Sequence, residues 1–341
     1  MTSTGRLVVA FPEGRGVARW AERDRESPVP GDWPYGLEHL RSGDRDAEAL
    51  DLPGPSRWQR GLLRLGLPAT RRRGTADVAL SWDEVTAAHL LAGRPGRRLF
   101  SGVIWATDQL ACDPASAVLA RQRRVLRALD GLWCLSRPQV DAVRDWIGAD
   151  GPPVHFLPFG IDEQFYRSDA PPPAVPRVVS VGGDRDRDPA TLFAALELVR
   201  RSRPDVECIV QSRSTLTPPA GVRKVDFIPH AQARDLYASA SLVAVATRPN
   251  LHASGMTVAL EGMSVGRPVV ACATPGMADY VRDGVTGLLV PPQRPEEMAA
   301  AVLDLLEDRE RAAEMGRAAR RHVLAGFTTT TMCRHLTDLV G

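Results

Sequence analysis

Apolar and polar positions along the chain follow two periods. Short aliphatic and β-branched runs at Arg6–Phe11, Ala47–Leu52, Ala76–Ser81, Leu99–Trp105, Gly131–Leu135 and Val154–Leu157 have the length and bounding turn residues of strands. Helix-period segments lie among them, around Tyr35–Ser42, Trp58–Leu65, Glu84–Ala92, Pro114–Leu129 and Arg137–Ile147. The second half repeats the alternation. Its strands are predicted at Arg177–Val181, Val206–Val210, Arg223–Phe227, Leu242–Ala246, Pro268–Ala273 and Gly287–Val290. Its helices are predicted at Pro189–Arg201, Gln232–Ser239, Thr257–Ser264 and Ala278–Asp283, with the remainder helical. Asp188 before Pro189 is a helix start signal, a capping carboxylate followed by a residue that lacks an N–H. Apolar strands alternating with helices predict parallel sheets covered on both faces, an α/β chain of two Rossmann-like, doubly wound domains. The stretch Glu13–Trp33 fits neither period and is expected to be a functional loop or lid.

Proline is dense between Pro158 and Pro176, which cannot continue a helix or a central strand. The chain therefore divides into a domain over 1–160, a Pro-rich linker over 161–176 and a second domain over 177–325. A C-terminal helix over 326–341 is expected to cross back to the first domain. Open parallel sheets bind ligands outside their strands' carboxyl ends, so two such domains are expected to face each other across a binding cleft.

Composition narrows the class. The 341 residues suit about two domains. A content of 44% hydrophobic and 25% charged residues is that of a folded globular chain. No apolar run reaches the ~18 residues of a membrane span, and the N-terminus lacks a signal-peptide layout, so a cytoplasmic location is expected. A net charge of +2 gives no footprint for nucleic acid. The five cysteines are dispersed without a C-x-x-C pair, which points to reduced thiols rather than zinc or a disulfide framework. Lys224 is the only lysine among the basic residues.

Residues 247–292 carry the chemistry. Ser254-Gly255-Met256-Thr257 opens a helix directly after a loop, and free N–H groups with the positive dipole end make an anion site there. Gly255 lets backbone approach a phosphate. Glu261 stands at i+4 from Thr257, on the same helix face. A carboxylate there suits a pair of ribose hydroxyls; the alternative is a solvated helix carboxylate. The segment is laid out for a nucleoside diphosphate.

It resembles the donor-binding domain of the retaining, GT-B-fold glycosyltransferases of family 4. The resemblance rests on Glu261-Gly-Met-Ser-Val-Gly266-Arg-Pro268-Val-Val, Pro275-Gly276, Asp283-Gly284-Val-Thr-Gly287-Leu-Leu-Val-Pro and Leu157-Pro-Phe-Gly160-Ile-Asp162. It covers roughly residues 130 to 325. It implies sugar transfer from a nucleoside-diphosphate sugar to an acceptor hydroxyl or amine, with retained anomeric configuration, no metal and no resident cofactor. One departure stands out: the first glutamate of the family's Glu-x7-Glu falls on Ala253, with His252 beside it. Family members carry cations after the first strand of this domain. Here Arg185 or Arg187 would stabilise the departing diphosphate; the alternative is a surface loop of local ion pairs. The same run contains Asp-x-Asp twice, but its interleaved arginines and the capping role of Asp188 oppose a metal site. By the resemblance, Phe227 and Ile228 form a wall against the base.

The acceptor is expected on the first domain. Trp82, Asp83, Glu84 and Asp108 follow predicted strands, and an aromatic ring beside carboxylates suits a hydroxylated acceptor. Asp83 and Asp108 read equally as helix caps. The acceptor class is open to a small molecule, a saccharide or a lipid-linked sugar. Arg57–Leu67, followed by Arg71–Arg73, is basic and amphipathic, which reads as an ordinary surface helix ahead of peripheral membrane contact. Ala253 keeps alternatives open: a sugar-nucleotide-binding protein without turnover, or a nucleotide-sugar epimerase on the same scaffold. An NAD-linked oxidoreductase is disfavoured because no G-x-G-x-x-G follows a strand.

Overall fold

The computed structural model describes residues 5–41, 46–64 and 74–341. The chain forms two compact units, one of Met1–Glu26, Gly31–Pro158 and Thr330–Gly341, the other of Ser27–Pro30 and Phe159–Thr329.

Unit 1 holds β1 (Arg6–Pro12), β2 (Asp46–Leu52), β3 (Ala76–Ser81), β4 (Gly96–Gly102), β5 (Gly131–Cys134) and β6 (Val154–Phe156). They form one parallel sheet in the order β2-β1-β3-β4-β5-β6. Leu7, Val9, Ala79, Leu80 and Leu132 are buried because helices cover both faces. The connections leaving β1 and β3 run in opposite directions, so the order reverses between these two strands. That switch point is where such a sheet opens a crevice at its carboxyl edge.

Unit 2 holds β7 (Arg177–Ser180), β8 (Glu207–Gln211), β9 (Val222–Val225), β10 (Leu242–Val245), β11 (Val269–Cys272) and β12 (Gly287–Val290). Their order is β12-β11-β10-β7-β8-β9, again parallel, with its switch point between β7 and β10. Val179, Val243, Ala244 and Val270 are inaccessible at its centre.

Two local expectations are corrected. Glu13–Trp33 contains a helix, Val17–Glu26, none of whose residues is buried. Its apolar stripe, Val17, Trp20 and Ala21, is one turn long and set among charged residues, too short for a sequence pattern to detect. Strand β4 ends at Gly102 rather than Trp105, and a further helix, Ala106–Cys112, precedes the expected one, which stands at Ala117–Arg127. The cause is long-range. Buried Glu84 accepts the backbone N–H groups of Ile104 at 2.9 Å and Trp105 at 2.8 Å, turning the chain into the earlier helix.

The last helix, Thr329–Val340, packs in unit 1, where Arg98 donates to the carbonyls of Val340 and Gly341 at 2.6 and 2.9 Å. The basic amphipathic segment forms a helix at Arg57–Arg64 with Trp58 exposed, while Leu65 and Arg71–Arg73 lie outside the described residues. Among the described residues, no helix is long and apolar enough to cross a membrane.

Candidate nucleotide site

The site is built where unit 2 reverses its strand order. The loop after β7 and the loop after β10 meet there and are stitched together by backbone bonds. Asp188 N–H donates to the Ala246 carbonyl at 3.0 Å and Arg248 N–H to that of Asp186 at 2.8 Å. Asp188 also caps helix Pro189–Ser202, accepting from the Thr191 N–H at 3.1 Å and hydroxyl at 2.6 Å. On the other side, Gly182 N–H donates to Gln211 Oε1 at 2.8 Å, and Gln211 Nε2 donates to the Asp226 carbonyl at 2.8 Å. Gln211 thus ties the ends of β7, β8 and β9 together.

The two arginine candidates separate. Arg185 has a half-exposed side chain paired with Asp186 at 3.1 Å. Arg187 turns inward, donating to the Val181 carbonyl, and its guanidinium runs beside two glycines. A Cβ on Gly182 (φ +127°) would overlap the guanidinium, and one on Gly255 would stand 3.0 Å from Nη1. Both glycines are needed for space as well as for their positive φ. Burial pulls the Arg187 pKa down, while Tyr237, Asp184 and Glu261 pull it up. Its Nε, with the hydroxyls of Thr247 after β10 and Thr274 after β11, is buried and finds no partner among the described residues. Neighbouring strand ends β7, β10 and β11 therefore present unmet hydrogen-bonding capacity, which buried polar groups rarely leave unfilled.

Helix Met256–Ser264 starts from Gly255 (φ +84°), and no side chain caps its first turn. Of the three residues expected to receive an anion here, Met256 already spends its N–H on the Ala253 carbonyl at 3.0 Å, and Gly255 and Thr257 form the rest of the helix start. Ser254 does not contribute as expected. Its hydroxyl donates to Asp184 at 2.5 Å and its N–H to Asn250 Oδ1 at 2.9 Å, so both groups hold the loop. Ala253 is buried with φ +54°, a left-handed conformation unusual for a residue with a Cβ.

Glu261 is partly buried and held by two tyrosines that the sequence reading missed. Tyr237 donates to its Oε2 at 2.8 Å, and Tyr166 also bonds to it. Tyr166 Oη lies 3.0 Å from His230 Nδ1. Burial pushes the Glu261 pKa up to about 7, against the two phenols and Arg187, which favour the carboxylate. Burial and then the Glu261 charge push both phenols well above their ordinary value. The native state therefore keeps the Glu261 proton to higher pH than an unfolded chain does. Its contribution to stability falls as pH rises from about 4.5 to about 7 and is level above that. Glu261→Gln removes this dependence. Across that window the melting temperature of the variant is expected to rise relative to wild type by about 3 °C or more, read in paired thermal melts at stepped pH.

His252 is buried, 3% accessible, with Nε2 3.2 Å from Asp184 and Nδ1 3.8 Å from Asp186. Burial opposes the Asp184 charge, but hydrogen bonds from His252 and Ser254 outweigh it and bring the pKa down to about 2. Ligand atoms of Asp184, Asp186 and His252 lie within 4.8 Å of one another, close enough to hold a metal ion. Within the chain these groups already serve each other, with Arg185 on Asp186, and together they clamp the loop after β10 onto the loop after β7.

Phe227 and Ile228 follow β9 at the sheet edge, with β8 between them and β7. Phe227 is 69% exposed, and the link from this loop to Gly182 runs through Gln211 and the Asp226 backbone.

The acceptor candidates in unit 1 are largely structural. Asp83 caps helix Glu84–Gly93 through the Thr86 N–H at 2.7 Å, and Glu84 is 2% exposed and spent on Ile104 and Trp105. Neither carboxylate is presented to a ligand as the sequence reading expected. Asp108 is half-buried in the first turn of Ala106–Cys112, where it suits the helix dipole. Trp82 is buried beneath Tyr35, whose ring stacks on it at 4.5 Å.

Residues 176–308 match the family model described as Glycosyl transferases group 1. The chain is 38% identical over 121 residues to a D-inositol 3-phosphate glycosyltransferase of Salinispora tropica, covering 35% of this chain and 24% of that protein. It is 35% identical over 152 residues to the protein of that name from Nocardia farcinica, covering 45% and 30%. The aligned part thus spans between a quarter and a third of those relatives' length. Among solved structures, sucrose-phosphate synthase (tll1590) from Thermosynechococcus elongatus superposes with a TM-score of 0.67 at 16% identity, covering 98% of each chain. Anabaena Alr3699/HepE in complex with UDP-glucose superposes at 0.68 and 16%, covering 98% of this chain and 99% of that one. The fold, two parallel six-stranded sheets with covering helices, is that of the GT-B glycosyltransferases.

Proposed function

We propose that the protein is a glycosyltransferase that moves a sugar from a nucleoside-diphosphate sugar to an acceptor hydroxyl, without a metal ion and with the anomeric configuration retained. The observation that carries this is Arg187, set between Gly182 and Gly255 beside an uncapped helix start, with Glu261 in its field. A fixed cation and a helix N-terminus converging on one point suit a diphosphate, whose charge grows as the sugar leaves. Ser254 and Asn250 hold the loop in place, so the donors are set before the ligand arrives. In a retaining transfer the departing diphosphate can take the acceptor's proton on the same face of the sugar, so no side-chain base is required. The match to the Glycosyl transferases group 1 model over the same residues supports the activity, and the UDP-glucose bound by the structurally similar HepE supports the donor class. The acceptor is placed on unit 1. The cytoplasm is its proposed location.

Ala253 motivates a second reading, a protein that binds the nucleotide sugar without turning it over. Calorimetric titration with UDP, GDP, TDP, ADP and NAD, with and without EDTA, tests both. Saturable binding of one nucleoside diphosphate, unchanged by EDTA and lost in Glu261→Ala, is expected. Binding that requires a divalent ion would reassign Asp184, Asp186 and His252 as ligands. Binding of the matching nucleotide sugar with no transfer and no hydrolysis would select the second reading.

A further inference from the structure

Unit 1 carries an aromatic stack on Trp82 whose outer ring, Tyr35, was not among the acceptor candidates from sequence. Tyr35 adopts φ 64° and ψ 13°, and the next residue, Gly36, is also left-handed. A tyrosine in this region costs about 1–2 kcal/mol, and such strain persists only where surrounding structure imposes it. What holds Tyr35 is a stack. Its ring lies on Trp82 at 4.5 Å and 13° between planes, and Trp82 in turn meets Trp133 at 6.4 Å. Exposure is graded along it: Trp133 is inaccessible, Trp82 is 6% exposed and Tyr35 is 44% exposed. The stack therefore runs from the core to a presented aromatic surface.

Its position matters as much as its shape. Trp82 follows β3 directly, beside β1, at the switch point where unit 1 opens its carboxyl edge. Desolvation and the Asp83 charge push the Tyr35 hydroxyl up to about 12, against Arg15 and Arg23, whose charges lower it. An exposed aromatic face within the field of two guanidinium groups matches a hydroxylated ring, whose C–H face stacks while its oxygens take hydrogen bonds.

We infer that Tyr35, backed by Trp82, is the stacking platform for a saccharide or cyclic polyol ring, the acceptor of the proposed transfer. The acceptor role rests on the function proposed above; ring binding itself does not. Gly36 provides the turn that lays Tyr35 over Trp82.

Saturation-transfer NMR on the full chain tests the platform, with methyl α-glucoside, N-acetylglucosamine and myo-inositol as probes and no nucleotide present. At least one probe is expected to bind. Tyr35→Gly, which relieves the left-handed strain and so keeps the fold, is expected to weaken it about tenfold, while Tyr35→Phe stays within about twofold. Unfolding melts of both variants check that the fold is retained. If no probe binds wild type, or Tyr35→Gly binds as wild type does, the platform is overturned. Nucleotide titration of the same variants separates the two proposals. Lost ring binding with intact nucleotide binding supports the platform, and ring binding without any nucleotide binding keeps it while removing the transferase.

Discussion

Replacing Arg187 with alanine is expected to lower sugar transfer by about 10²–10³-fold, with a smaller loss in affinity for the free nucleoside diphosphate. The guanidinium is fixed before any ligand arrives: the Val181 carbonyl anchors it, and Gly182 and Gly255 leave the space it occupies. A preorganised cation stabilises developing charge without reorganising, so its removal falls mainly on kcat. Arg187→Lys should recover only part of the loss, because an ammonium lacks the planar fork that fits this slot. Arg185→Ala is the control. Its side chain is half-exposed and paired with Asp186, so a change within about threefold is expected. Steady-state kinetics on both variants decide the assignment; equal losses would remove the distinction between the arginines.

The second large effect is expected at Gly255. A Cβ there would overlap Val245 Cγ1 on a central strand and crowd Arg187, in a backbone conformation of φ +84°. Strain and overpacking together should cost Gly255→Ala about 2–4 kcal/mol, and the variant should lose nucleotide binding by displacing both the helix start and the guanidinium. Gly284→Ala isolates the strain, since Gly284 has φ +70° with nothing within 4 Å of an added Cβ. It should cost about 1–2 kcal/mol and leave binding unchanged. Chemical denaturation and nucleotide titration of the pair check this. A Gly255→Ala protein as stable as Gly284→Ala would mean that the close approach of Val245 and Arg187 is not constraining.

Much of the fold was legible because its signals are local. A strand stands at each of the predicted strand positions, and β3 and β12 match to the residue. Asp188-Pro189 starts a helix as expected because cap and first turn are neighbours in sequence. The helix Val17–Glu26 escaped detection because its apolar stripe is one turn long, and Ala106–Cys112 because Glu84, far back in the chain, starts it. The site was legible only in outline. Gly255, Glu261 and Arg187 carry signals in residue type and spacing. Tyr166 and Tyr237 do not, since nothing near either residue indicates a shared carboxylate.

Local pattern was enough for the α/β class, the strand positions, most helix positions and the segment holding an uncapped helix start. Apolar period, cap residues and glycines act within a few neighbours of themselves. Packing between distant segments turns Arg187 inward while Arg185 faces solvent. It also made Asp184 and His252 a clamp, set Asp83 and Glu84 to capping and brought Tyr35 onto Trp82. Each of those outcomes depends on which strand ends lie side by side, and strand order is set by packing between segments that no local pattern relates.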